Sequence, residues 1–129
     1  NTLGVTRVII AGGTAVIHSD IATSVRSGTG VTVVQRQGGA DRFKTAAAIN
    51  DAAFPEADTM YLASGLSFPD ALSVAAVAGA QGRPLALSAA TCIPAATVGY
   101  ATLAGITTVQ LVGGSSVLST RVATFVPCL

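Results

Sequence analysis

Apolar residues in this chain fall in short β-branched runs that alternate with segments of helical spacing. Arg7-Val8-Ile9-Ile10-Ala11 is the first such run, closed by Gly12-Gly13-Thr14 and followed from Ser19 to about Arg26 by Ile21, Ala22 and Val25 on one helical face. Val31-Thr32-Val33-Val34 repeats the strand signal. Gly38-Gly39-Ala40 then leads to Asp41, a good helix cap, and Phe43, Ala46, Ala47 and Phe54 take helical spacing until Pro55 stops the helix near Ala53. Thr59 to Ala63 predicts a third strand. After it, Ser67-Phe68-Pro69-Asp70 reads as a helix start: a hydroxyl cap, a proline whose missing N–H costs nothing, and a carboxylate in the positive first turn. The helix beyond, with Leu72, Val74, Ala75, Ala76, Val77 and Ala78, is apolar nearly all round and is expected to be buried. Pro84-Leu85-Ala86-Leu87 predicts a fourth strand, Pro94 to about Leu103 a helix closed by Gly105, Thr108 to Val112 a fifth strand, and Ser119 to Phe125 a short last helix.

Five strands alternating with helices over short connections imply parallel crossovers. The expected class is α/β, a parallel sheet of about five strands flanked by helices. An internal repeat is also legible. Val8-Ile9-Ile10-Ala11-Gly12-Gly13-Thr14-Ala15-Val16-Ile17 aligns with Val109-Gln110-Leu111-Val112-Gly113-Gly114-Ser115-Ser116-Val117-Leu118 at an offset of 101 residues. The chain is therefore expected to be one α/β module over residues 1–129, in which 1–30 is the tail of a preceding repeat and 31–129 one full repeat.

Composition narrows the function classes. The chain has 129 residues, half of them hydrophobic but only 5% aromatic, and a net charge of +1 with its seven basic residues scattered. A clustered basic stripe with aromatics is the usual mark of nucleic-acid binding, and none is present. The longest apolar stretch, Ala71 to Ala80, is about half the length of a membrane span. No basic segment precedes an apolar one at Asn1, so any signal peptide is expected to have been removed or to lie upstream. Two cysteines, Cys92 and Cys128, and a single histidine, His18, do not furnish a tetrahedral zinc site. A Cys92–Cys128 disulfide is favoured over two buried thiols, and it places the chain outside the reducing cytosol. No metal or cofactor is expected.

In a parallel α/β sheet ligands bind at the carboxyl ends of the strands. Those ends here carry Gly12, Gly13 and Thr14; Gly38, Gly39, Asp41 and Arg42; Ser64 with Asp70; Ser88; and Gly113, Gly114 and Ser115. Each double glycine either brings backbone N–H groups to an anion or simply makes a tight turn. Arg42 either presents its fork to a phosphate or carboxylate or pairs with Asp70 or Asp41. Neither glycine pair fits the G-x-G-x-x-G dinucleotide pattern, and Ser64 lacks the G-x-S-x-G elbow of a hydrolase. An Asp41–Asp70 carboxylate pair for glycoside cleavage lacks aromatic subsites. The candidate ligand-binding residues are thus Arg42, Asp41, Asp70, Ser64, Gly13, Thr14, Gly113 and Gly114, with no catalytic set.

Together, Gly39-Ala40-Asp41-Arg42-Phe43-Lys44-Thr45-Ala46, Ala63-Ser64-Gly65-Leu66-Ser67-Phe68-Pro69-Asp70-Ala71-Leu72, Pro84-Leu85-Ala86-Leu87 and Val112-Gly113-Gly114 with Val117-Leu118-Ser119 resemble the cell wall binding repeat 2 family. The resemblance spans nearly the whole chain. It implies a Rossmann-like fold and a non-catalytic module of Gram-positive surface proteins. Such a module attaches a secreted protein to an anionic secondary polymer of the cell wall, in tandem or as a homo-oligomer, commonly a trimer. The alternative is a self-association or protein-interaction module of a surface protein.

Overall fold

The structure, a computed structural model, describes residues 3–129. Asn1 and Thr2, where the expected repeat tail begins, lie outside it. The elements run β1 (Arg7–Ala11), α1 (Asp20–Thr29), β2 (Val33–Gln37), α2 (Arg42–Ala53), β3 (Thr59–Ser64), α3 (Phe68–Ala80), β4 (Leu85–Ser88), α4 (Ala95–Ala104), β5 (Thr108–Val112) and α5 (Thr120–Ala123). The α/β class and the parallel pairing hold. The strands do not form one sheet of five, however: β1 and β2 make a two-stranded ladder, and β4-β3-β5 a separate three-stranded one.

The division has a physical cause at β4. Its Pro84 and Ser88 carbonyls accept from Tyr61 and Gly65 of the β3 side, so the carbonyls of Leu85 and Leu87 point outward. They are met by side chains: Asn50 Nδ2 of α2 donates to Leu85 O at 3.0 Å, and Thr97 Oγ1 of α4 donates to Leu87 O at 2.7 Å. Both residues are buried, and these bonds satisfy the strand edge that β2 would otherwise have to join. β2 instead pairs with β1 in the register Arg7 with Val33, which moves the strand two residues beyond the expected Val31 start.

Met60 and Leu62, fully buried and two residues apart, turn to one face of β3. They pack with Ala86, Ile93, Tyr100, Ala101, Ala104, Leu118 and Val122 in a single core. The helix after Asp70 departs from expectation. Only Val74 and Ala78 of α3 are buried, while Phe68 is 73% exposed, Leu72 66% and Val77 46%. One stripe of α3 faces the sheet, and nothing among the described residues covers the other.

Cys92 and Cys128 form the expected disulfide. Backbone bonds from Ile93 N to Val126 O and from Cys128 N to Ile93 O, each 2.9 Å, bind the tail beside it. With the cysteines 36 positions apart in sequence, the chain-entropy model assigns the cross-link about 4 kcal/mol. No helix of the described residues is long and apolar enough to cross a membrane.

Candidate functional site

Asp41 takes an extended conformation before α2, and its Oδ1 accepts from Lys44 N at 2.8 Å, which caps the helix as its sequence position predicts. This places Arg42 at the first helical position with its side chain exposed. Arg42 Nη1 donates to the carbonyl of Gly65, so the first motif is fastened to the turn that follows β3. It forms no ion pair with Asp41 or Asp70; the single salt-bridge contact among the described residues joins His18 to Asp20. One donor of the guanidinium is engaged, and the remaining N–H groups have no partner among the described residues.

Glycines permit this closeness. A Cβ on Gly65 would stand 2.5 Å from Cε1 of Phe43, and one on Gly39 2.3 Å from Cβ of Lys44. A Cβ on Gly38 would stand 2.6 Å from the carbonyl carbon of Gly12, and one on Gly13 2.9 Å from Gly39 O. The turns after β1 and β2 thus press backbone against backbone. Gly12 N donates to Gln37 O at 2.8 Å, and Arg36 Nη1 donates to Gly12 O at 2.7 Å while Nη2 reaches His18 O at 3.3 Å.

Against these turns lies a cleft of about 480 Å³, walled by Gly13, Val16, Asp41, Arg42, Ile49 and Leu87 among others. Thr14 lies in an adjoining hollow of about 380 Å³ with Gly13 and Arg36. Four of the eight candidate residues, Gly13, Thr14, Asp41 and Arg42, are brought together in this way. Asp70, Gly113 and Gly114 gather elsewhere, at the end of β5, where a Cβ on Gly113 would stand 2.9 Å from Asp70 Oδ2. Ser64 is buried, and its Oγ accepts from Leu66 N at 3.2 Å, closing the turn after β3. His18 is exposed beside Asp20 on the connection from β1 to α1, well before Ser64 in the chain. Residues the sequence did not single out for the site are Val16, Ile49 and Leu87 of the cleft wall. Their apolar periodicity marks them only as packing residues.

The fold and this site define an α/β module with a cleft at the carboxyl ends of parallel strands, presenting one positioned arginine. Residues 36–123 match the family described as Cell wall binding domain 2 (CWB2), and the chain belongs to that family. It is 31% identical over 120 residues to the N-acetylmuramoyl-L-alanine amidase LytC of Bacillus subtilis (strain 168), a match covering 93% of this chain and 24% of the amidase. Its fold is similar to Cwp6 from Clostridium difficile (TM-score 0.83, 25% identity, 94% of this chain and 20% of that one). It is also similar to Cwp8 from the same organism (TM-score 0.77, 25% identity, 95% and 20%). The chain therefore spans about a quarter of the amidase's length and about a fifth of each structural relative.

Proposed function

We propose that this cell wall binding domain is a non-catalytic anchor, which holds a secreted protein to an anionic secondary polymer of a Gram-positive wall through Arg42 and the backbone at the adjoining cleft. The observation that carries this reading is the state of Arg42. Its guanidinium is exposed, oriented by the Gly65 carbonyl, and free in its other donors among the described residues, which is the preorganised fork that phosphate and carboxylate groups favour. Asp41 serves the site as the cap of α2, and the positive end of that helix offsets its charge.

A single fork on a surface of net charge +1 gives weak binding per site. Repetition along a polymer raises it through effective concentration. The match to an amidase covers only 24% of that enzyme, consistent with likeness to a part that need not carry its chemistry.

The test is co-sedimentation of the chain with purified walls before and after removal of the anionic polymer, with Arg42→Ala and Arg42→Lys in parallel. Binding is expected to fall on stripping and with either substitution, less with lysine. Undiminished binding to stripped walls refutes polymer recognition, and wall binding unaffected by Arg42→Ala moves the site elsewhere.

A further inference from the structure

The repeat offset of 101 residues lays β1 on β5, and the two strands continue into turns of the same geometry. Gly12 has φ 137° and Gly113 129°. Val16 and Ile17 donate to Gly13 O, and their counterparts Val117 and Leu118 donate to Gly114 O. Their surroundings differ: β1 carries β2 at its side, whereas β5 pairs with β3 and has an unpaired outer edge among the described residues.

Hydrogen-bond parity shows that these are equivalent edges. Gly12 N points at β2, where it bonds Gln37 O. On β5, Thr108 N points the other way, toward Asp58 O on the β3 side, so the N–H groups of Val109, Leu111 and Gly113 face outward. Gly113 N has no partner among the described residues. Ile10 of β1 is 7% exposed, but its counterpart Leu111 is 39% exposed. Gly13 has a reason to be glycine, because Gly39 O would stand 2.9 Å from its Cβ; a Cβ on Gly114 would meet only Ser116 Oγ, at 3.8 Å. Gly114 is a glycine with no steric reason inside this chain.

We propose that residues 1–30 and 31–129 are the tail of one repeat and a full second repeat, and that the outer edge of β5 is the docking strand for the β2 segment of another copy of the repeat. The register follows from β1 and β2: Thr108 opposite the incoming Val33, Gln110 opposite Gln35, and Val112 opposite Gln37. Gly114 then makes room for the incoming Gly39, as Gly13 does within the chain. The incoming Arg36 reaches Gly113 O and Ser119 O, the counterparts of Gly12 O and His18 O, with the Asp70 carboxylate standing over Gly113 to receive its charge. The other edge of the three-stranded sheet is closed by Asn50 and Thr97, which leaves β5 as the side open to extension.

The test extends the full chain directly after Leu129, which stands one repeat beyond Gly28, with a second copy of residues 29–41. Gln110→Cys is combined with cysteine at the added counterpart of Val34, Gln35 or Arg36, and disulfide formation under mild oxidation is followed by mass spectrometry. Cross-linking is expected to be at least about tenfold faster at the Gln35 counterpart, because a one-residue slip turns the thiol to the opposite face. Exchange of the Gly113 amide is expected to slow. Gly114→Ala is expected to abolish both effects while leaving the melting temperature of the unextended chain unchanged. Cross-linking that is absent or indifferent to register overturns the proposal. So does a marked loss of melting temperature from Gly114→Ala in the unextended chain, since that glycine would then have an internal role. None of these readouts involves wall binding.

Discussion

Alanine at Gly38 places a methyl group 2.6 Å from Gly12 C and 2.7 Å from both Gly12 O and Gly13 N. Carbon atoms in contact prefer about 3.5–4.0 Å, so the two turns must part by roughly 1 Å. None of the obstructing atoms belongs to a side chain that can swing away. That displacement stretches the 2.8 Å bond from Gly12 N to Gln37 O and the 2.7 Å bond from Arg36 to Gly12 O. The clash is one of overpacking, so the range of about 1–3 kcal/mol is the relevant magnitude. Because β1 and β2 form their own ladder, the loss is expected to fall on local opening of that unit. Amide exchange followed by NMR is the assay: protection of Gly12 is expected to fall roughly 5- to 150-fold, with the Met60 to Ala63 amides unchanged. Unchanged exchange at Gly12, or an equal loss along β3, refutes the reasoning.

Replacing Cys92 and Cys128 together by serine is expected to lower unfolding free energy by about 2–5 kcal/mol, read from urea titrations, and reductant should reproduce the effect on the native chain. The Tyr100 phenol is raised above its ordinary 10.0, first by burial and then by the charge of Asp51. The unfolded chain therefore sheds that proton first as pH rises. The stabilisation is intact below pH 10 and is lost as pH climbs through the folded value, so urea midpoints should drop on the alkaline side and drop less steeply in Tyr100→Phe. Tyr100→Phe should also destabilise the chain at neutral pH by about 1–3 kcal/mol, since Phe54 O loses the 2.8 Å bond it accepts from the phenol.

The order of strands and helices was legible because β-branched runs, double glycines and prolines punctuate the chain at each junction, and the ends of β1, α2 and β5 fall where those signals put them. What escaped depends on partners distant in sequence. The register of β2 is set by β1, and the edge of β4 is satisfied by Asn50 and Thr97, side chains with no local mark of that duty. A helix as uniformly apolar as α3 gives no direction, so its exposed Phe68, Leu72 and Val77 could not be told from Val74 and Ala78. At the candidate site, the sequence placed Arg42 and the glycines at the carboxyl ends of the strands, and they stand there. It could not separate a glycine that admits a ligand from one that admits another backbone, because both need only the missing Cβ. Arg42's bond to Gly65 O, between residues 23 apart, likewise needed coordinates.

The bare outer stripe of α3 also governs how the isolated chain behaves in concentrated solution. Phe68 and Leu72, one helical turn apart, offer an adhesive surface, and a formal charge of +1 with an isoelectric point near 8.0 supplies almost no mutual repulsion between molecules at neutral pH. Colloidal stability is therefore at its minimum under the mildly alkaline buffers in common use. A shift toward acid, which charges the molecules alike, is the condition under which the chain keeps apart from itself long enough for its specific contacts to be measured.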